Sequence, residues 1–472
     1  MSSSKKMTIP RFCITHVCNE NESNAEMISL QTNIKYWIKK DEHITVNGQI
    51  IKNNIYNFLP VILNADGSPW IHSTLYVIDK AKNDFSYNPV TYHCIVSDLA
   101  NFKNFIDENN IDLYDFPEQK LLRPTYKYRN FLVNQVQNGK LSSQTVKRRI
   151  STIILFYRYL IRDGFFIPEN NPWSESDFYV NTFDKVGLSH LLKKTRTDLA
   201  IKSQTEINPY SINIRDEGRL RPLEIEEQST LIESLISLEN TEMLLIHLIA
   251  LFTGARIQTV LTFKKSLFEK DTNTVNSEIR ILTGESTDID TKNNKNIILI
   301  MPKWLYEMIR IYRYSNRASN RMKKNKDPIS EDYLFLSNRG TPYYLSRKHL
   351  KDSNLDIKTL HNGEAVRQFI KNRVIPLMRK KLANSSYTYK YHDLRATFGM
   401  NLTSSLLANV NEGKITLHDV REYVKCRMGH LSSNTTDLYL NYRSNLSSYS
   451  TYQEQYELHL KKLIDKIRSN KL

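Results

Sequence analysis

Apolar residues recur at helical spacing through most of the chain. Leu99, Phe102, Phe105 and Ile106 predict one helix, closed by an Asn-Asn break. Val146, Ile150, Ile153, Ile154, Tyr157, Leu160 and Ile161 line one side of another; Thr145 is placed to cap it and Gly164 to end it. Leu223-Glu224-Ile225-Glu226-Glu227 opens a third helix with acids in its first turn, where the helix dipole favours them. The run from Met243 to Phe252 contains His247, is too short to span a bilayer, and reads as a buried helix stopping at Gly254. Two β-type runs, Glu278 to Leu282 and Ile297 to Met301, flank a polar loop and predict a hairpin; Pro302 ends the second run and a helix follows. Ahead of residue 86 the pattern is mixed. Ile44-Thr45-Val46 and Thr74 to Ile78 look like strands broken by Asn, Gly and Pro. The fold class expected from this pattern is mainly α with a small β-sheet.

Segment boundaries follow from the changes of pattern: a mixed stretch at 1–85, a helical domain at 86–173, a polar linker at 174–218, a larger domain at 219–450, and a tail at 451–472. The tail carries Tyr452, Tyr456, Leu460, Leu463 and Ile467 at helical spacing. A chain of 472 residues with 40% hydrophobic content predicts two or three domains with proper cores. Charge changes the picture more. Sixty-six basic against 50 acidic residues, net +16, points to a polyanionic partner without separating DNA from RNA or a membrane surface. Lys147, Arg148 and Arg149 stand in the first turn of the helix that Thr145 would cap, the unfavourable end of its dipole; a nearby phosphate or a solvated face would each account for them. Lys193, Lys194 and Arg196 cluster in the linker. Arg310, Arg313, Arg317, Arg321 and Lys324 recur at three and four after Pro302, a basic stripe on one helix face. Four sparse cysteines predict reduced thiols and an intracellular protein. Cys13, His16 and Cys18 lack the second ligand pair of a zinc site and read as ordinary residues. The first residues carry no cleavable signal pattern.

The chemistry lies late. Thr253-Gly254-Ala255-Arg256 is followed by Tyr391-His392-Asp393-Leu394-Arg395, then Met428-Gly429-His430, then Thr435-Thr436-Asp437-Leu438-Tyr439. Among these residues are two arginines, Arg256 and Arg395, two histidines, His392 and His430, and the tyrosine Tyr439. Arginine's planar fork suits two phosphate oxygens at once. Histidine hydrogen-bonds or moves protons near neutral pH. Tyrosine, with a pKa of about 10, attacks only when its proton is removed and the charge developing on the phosphate is neutralised.

This order and spacing resembles the tyrosine recombinase (phage integrase) family: an arginine in a T-G-x-R turn, then H-x-x-R, then L-G-H, then a tyrosine nine residues on. Arg256 sits in TGAR, His392 and Arg395 in HDLR, and His430 in MGH with Met428 for the usual Leu; Tyr439 stands nine residues past His430. Thr145 to Leu160 also resembles the helical core-binding domain that precedes the catalytic domain in that family. The resemblance covers roughly residues 90 to 450 and leaves out 1–85. It implies a SAM-like core-binding domain at 86–173 and an α+β catalytic domain at 219–450, the two closing as a C-shaped clamp on DNA.

The resemblance also implies the roles. Arg256 and Arg395 would bind the scissile phosphate, His392 and His430 would hydrogen-bond it or move a proton, and Tyr439 would attack, leaving a 3′-phosphotyrosyl link and a free 5′-hydroxyl. No ATP, metal or other cofactor is implied. A hairpin lysine is the family's general acid. The loop here offers Lys292 and Lys295, is longer than the usual turn, and favours Lys292. Tyr442, one helical turn past Tyr439, is the competing phenol. Thr259 stands where the family usually has a Glu that orients its neighbours. Lys147, Arg148, Arg149, Lys193, Lys194, Arg196, Arg310, Arg313 and Arg317 are the candidate DNA contacts. The partner would be double-stranded DNA, with a homotetramer on paired sites, no membrane, and a place in the bacterial cytoplasm at the nucleoid. The C-terminal segment would dock into a neighbouring subunit. Two other readings stay open: a nicking-closing enzyme of the type IB topoisomerase kind, and a catalytically silent DNA-binding protein on the same scaffold.

Overall fold

The computed structural model describes residues 4–14, 17–18, 25–29, 35–39, 44–46, 49–51, 55–84, 86–183, 189–201, 213–216, 218–270, 278–324, 328–352, 355 and 357–442. His16 and the apolar positions expected at 451–472 lie outside them. The chain divides into two compact units: Met1–Thr205 with Leu350–Thr359, and Glu206–His349 with Leu360–Leu472. Both are mainly helical with small antiparallel sheets. Among the described residues no helix is long and apolar enough to cross a membrane.

In the first unit, β1 (Lys5–Cys13) pairs antiparallel with β2 (Ile55–Leu63), Lys5 opposite Leu63. Val17–Cys18, Ala25–Ser29 and Lys35–Lys39 make a three-stranded sheet, and Ile44–Val46 pairs with Gln49–Ile51, as its β-type sequence predicts. Four helices follow: α1 (Ile71–Lys82), α2 (Pro89–Glu108), α3 (Pro124–Gln137) and α4 (Ser143–Arg162). The strand expected at Thr74 to Ile78 is therefore wrong. It is the middle of α1, where Tyr76 and Val77 are buried and the Tyr76 ring meets Phe156 and Tyr159. A β-branched, aromatic run does not separate a strand from a buried helix, and tertiary packing decides.

α4 starts earlier than expected. Ser142, not Thr145, is its N-cap and accepts from the Thr145 amide at 3.2 Å. Lys147, Arg148 and Arg149 consequently stand in the second turn rather than at the dipole's end. Arg148 forks onto the buried Asp98 carboxylate at 2.8 and 3.0 Å, and Arg149 donates to Asn101 at 2.7 Å, so both have partners within their own unit. Lys147 is exposed. The expected linker is also partly structured. β3 (Glu175–Phe183) and β4 (Ser189–Thr197) pair from Glu175 opposite Thr197 to Phe183 opposite Ser189, and Leu199 joins the first unit's core. Lys193, Lys194 and Arg196 are exposed on this hairpin, with Lys193 2.8 Å from Asp177.

The second unit opens on a small hairpin, β5 (Ile214–Arg215) and β6 (Arg219–Leu220). α5 (Ile225–Ser237) has a full capping box between Glu224 and Glu227. α6 (Thr241–Thr253) is buried nearly all round and ends at Gly254; the short α7 (Ile257–Leu261) follows. β7 (Glu278–Thr283) and β8 (Ile297–Pro302) pair antiparallel as expected. The helix after Pro302 is two helices, α8 (Lys303–Tyr314) and α9 (Asn316–Lys323), broken at Ser315, whose hydroxyl caps the second. The continuous basic stripe does not form. Arg310 lies 3.5 Å from Glu307 and Arg313 2.5 Å from Glu269. Arg317 and the buried Arg321 each lie 2.8 Å from the buried Glu242. A carboxylate inside the domain needs cations, and these arginines meet that need. The unit closes with α10 (Asp393–Asn411), α11 (Leu417–Met428) and a helix at 433–442, here α12, which carries Tyr439.

Candidate active site

Four sequence pieces far apart in the chain meet where α6, α10, α11 and α12 approach. Gly254 ends α6 with φ +67, and a Cβ there would lie 2.5 Å from the Phe398 ring, so this turn needs glycine on both counts. The turn releases Arg256 as the N-cap residue of α7, half-buried beside a small cleft. Thr259, Thr283, Thr291, Arg395, Arg427 and Met428 also line that cleft. Arg427 had no signal in the motif spacing; its guanidinium sits over the Phe398 and Tyr423 rings.

Arg395 is the hub. It sits on the first turn of α10 and is 4% exposed. Nη1 donates to the Gly254 carbonyl at 2.7 Å, Nη2 donates to the Met428 carbonyl, and Nε lies 3.3 Å from Asp216 Oδ2. One side chain thus ties TGAR, HDLR and MGH together. Burial, and the Arg256 charge nearby, lower its proton affinity, which Asp216 partly restores. The start of α10 is fixed by its neighbours. The buried Asp393 carboxylate accepts from the Lys390 and Arg221 amides at 2.8 and 3.0 Å, and Tyr391 donates to the Ile246 carbonyl at 2.9 Å.

His430 follows Gly429, the left-handed cap of α11. Its Nδ1 meets Thr436 Oγ1 at 3.0 Å and its Nε2 meets Asp216 Oδ2 at 3.3 Å; with the proton on Nε2, the ring donates to the acid and accepts from the threonine. Thr436, three residues ahead of Tyr439, therefore orients the histidine. The Tyr439 ring stacks on His430 with centroids 5.6 Å apart. It lies against Gly399 of α10, where a Cβ would come within 2.6 Å of the ring. Tyr439 is fully buried, and its hydroxyl donates to Asp216 Oδ2 at 3.0 Å. Burial and the Asp216 charge raise its pKa well above the ordinary phenol value.

Asp216, in the β5–β6 turn, escaped the sequence reading. It lies in the stretch read as linker, at no fixed distance from any motif. It is 1% exposed, and hydrogen bonds from His430 and Tyr439 with the Arg395 charge hold its carboxyl far below the usual range against the cost of burial. Among the other expected residues, His392 is partly buried at the N-cap position of α10. Lys292 is exposed on the turn Lys292–Asn294, and Lys295 is partly buried after it. None of these three lines the cleft, although Thr291 at the foot of the same loop does. The long loop is held down by Asp290. Its amide donates to Thr262 Oγ1 at 2.9 Å and its carboxylate accepts from the Arg347 amide at 2.9 Å. Tyr442 is partly buried, packs beside the same cluster, and has its pKa raised by burial.

No family model matches the chain, and no curated protein matches it. Several solved structures do. A XerH site-specific recombinase bound to palindromic difH substrate, a post-cleavage complex, is 17% identical, with 81% of this chain and 85% of that one covered and a TM-score of 0.45. The integrase of the Tn1549 transposon, in complex with transposon right-end DNA, is 13% identical over 78% of this chain and 94% of that one, with a TM-score of 0.43. A lambda integrase dimer bound to a COC′ core site is 13% identical with the same coverage, at 0.42. These solved structures are of site-specific recombinases and integrases.

Proposed function

We propose that this chain is a site-specific DNA recombinase or integrase of a mobile element, cutting and rejoining DNA through a phosphotyrosine. What carries the reading is the aim of three side chains at one point: Arg395 Nε, His430 Nε2 and Tyr439 Oη all lie within 3.3 Å of a single anionic oxygen. A set of donors that holds a carboxylate oxygen this way suits a phosphate oxygen equally. The fourth group, Arg256, lines the adjoining cleft with Arg395.

In the reaction, Tyr439 Oη bonds to phosphorus as the bond from phosphorus to the 5′-oxygen breaks. The phenol proton leaves, and the 5′-oxygen takes one up. Arg256 and Arg395 hold the non-bridging oxygens as negative charge grows on them. His430 donates from Nε2 to the same group, and His392 is the second histidine at hand. Lys292, with Lys295 as the alternative, is assigned to protonate the leaving oxygen; its loop has to bring the lysine to the cleft once DNA is present. The covalent link keeps the energy of the phosphodiester, so rejoining needs no ATP. The partner is double-stranded DNA on paired sites, with four copies of the chain acting together at the bacterial nucleoid. Lys147, Lys193, Lys194 and Arg196 are the exposed contacts for its backbone. Arg148, Arg149, Arg310, Arg313 and Arg317 are the other candidates; each has a partner within the fold, as Lys193 has Asp177.

Strand exchange tests this. Two duplexes carrying the ends of the chain's own element are expected to yield recombinant products through a four-way junction. Relaxation of a single supercoiled duplex with no exchange would favour the nicking-closing reading, and binding with no covalent product the silent one.

A further inference from the structure

The site described above is shut. Tyr439, the proposed nucleophile, is fully buried, and its hydroxyl donates a hydrogen bond to a carboxylate. Arg395 has its guanidinium engaged on every side: two contacts go to carbonyls of the motif turns, Gly254 and Met428, and the third to Asp216. The first two build the site. Only the third is made to a group outside the motif frame, so it is the contact a substrate can replace. The same oxygen, Asp216 Oδ2, also occupies His430. A DNA phosphate and this carboxylate cannot share three donors, because two buried anions at one point repel strongly and neither would be fully satisfied.

Resting on the recombinase reading, we propose that Asp216 is a latch: its carboxylate stands in for the scissile phosphate among Arg395, His430 and Tyr439, and keeps the site closed until the β5–β6 hairpin withdraws. The hairpin is made to be released. Each strand is two residues long, with Ile214 opposite Leu220 and Arg215 opposite Arg219. Ile214 and Leu220 are its apolar anchors, set into the cluster that also holds Phe398, Met428 and Tyr439. The arginines flanking the latch, Arg215 and Arg219, are exposed. They lie just past the point where the chain passes from the first compact unit into the second. A DNA backbone drawing on these two arginines pulls on the same turn that carries Asp216, so the polyanion that supplies the phosphate also removes its substitute. The latch accordingly couples exposure of the nucleophile to DNA engagement.

The test compares the full chain with Asp216→Asn, which keeps the shape of the side chain and removes its charge. Inorganic phosphate is the first probe, followed by titration calorimetry. The variant is expected to bind phosphate about tenfold or more tightly than the unaltered chain, a gain worth roughly 1.4 kcal/mol, and to lose that gain when Arg256→Ala is added. The second probe is covalent capture on a nicked duplex carrying the element's ends, where the variant is expected to form adduct faster. Tighter phosphate binding with no adduct from either protein upholds the latch and sinks the recombinase reading. Adduct from the unaltered chain, with unchanged or weaker phosphate binding and slower capture in the variant, overturns the latch and makes Asp216 a positioning carboxylate. Should Asp216→Asn not fold, Ile214→Ala, which loosens one anchor and leaves the carboxylate in place, decides by the same phosphate criterion.

Discussion

Arg256 and Arg395 share a proposed task, yet their removal leaves different things behind. Arg395→Ala would strand the Gly254 and Met428 carbonyls and the Asp216 charge in a buried site. A loss of about 3–5 kcal/mol of stability is expected, as when one partner of a buried ion pair is deleted. Arg256 is less buried than Arg395 and stands at the cleft, so Arg256→Ala is the cleaner probe. It should keep the urea midpoint near that of the unaltered chain and slow cleavage by roughly 3–4 kcal/mol of lost transition-state stabilisation; a cleavage rate within about tenfold would contradict its role. Sequence spacing singled out Arg256, Arg395, His430 and Tyr439, and the fold brings these side chains to one place. Asp216 was illegible because a carboxylate delivered by a separate turn obeys no spacing to the groups it meets. The hairpin lysine stays a choice between Lys292 and Lys295, since the lengthened loop removes the register that would select one.

At the level of elements, α6 shows both what periodicity reveals and what it hides. Its apolar run and its stop at Gly254 were readable, but the state of His247 was not. That ring is fully buried, with Nδ1 2.6 Å from the Met243 carbonyl and Nε2 3.1 Å from the Tyr389 hydroxyl, and burial pushes its pKa down to about 4. Unfolded, it titrates near 6.5. The folded value is the lower one, so its contribution is complete above pH 6.5 and is lost as pH falls toward 4. Urea unfolding at pH 7 and pH 4.5 should show His247→Gln losing roughly 2–3 kcal/mol less than the unaltered chain across that interval. Equal losses would place the ring's charge elsewhere. The α1 segment and the 174–197 stretch failed to read for opposite reasons. Thr74 to Ile78 has strand-like residue types inside a helix whose face is buried by α4. Phe178-Tyr179-Val180 does pair as a strand, but its polar surroundings read as linker. The basic stripe was misleading because helical spacing reports which positions share a face, not what faces them; Glu242 and Glu269 do.

At the scale of the whole molecule, the net charge of +16 has to be weighed against the ion pairs that absorb part of it. With several phosphates neutralised by exposed residues such as Lys147, Lys193, Lys194 and Arg196, log affinity should fall against log salt with a slope of about −0.9 per phosphate. Replacing Lys194 and Arg196 together should make the slope shallower by about two. A slope near zero would assign the charge to some other partner. The two compact units each carry their own core, and the helical character of both was readable because apolar periodicity is local. The tight convergence at the site was not, because Asp216, Arg395 and Tyr439 are brought together by tertiary packing across more than two hundred residues of chain.

The proposed chemistry joins the Tyr439 hydroxyl oxygen to a DNA phosphorus. Its most direct measurement is peptide mapping by mass spectrometry of the protein trapped on a nicked duplex bearing its element's ends. The expected result is a nucleotide linked through a 3′-phosphate to Tyr439, absent in Tyr439→Phe and retained in Tyr442→Phe. Attachment at Tyr442, or cleavage that survives Tyr439→Phe, would contradict it.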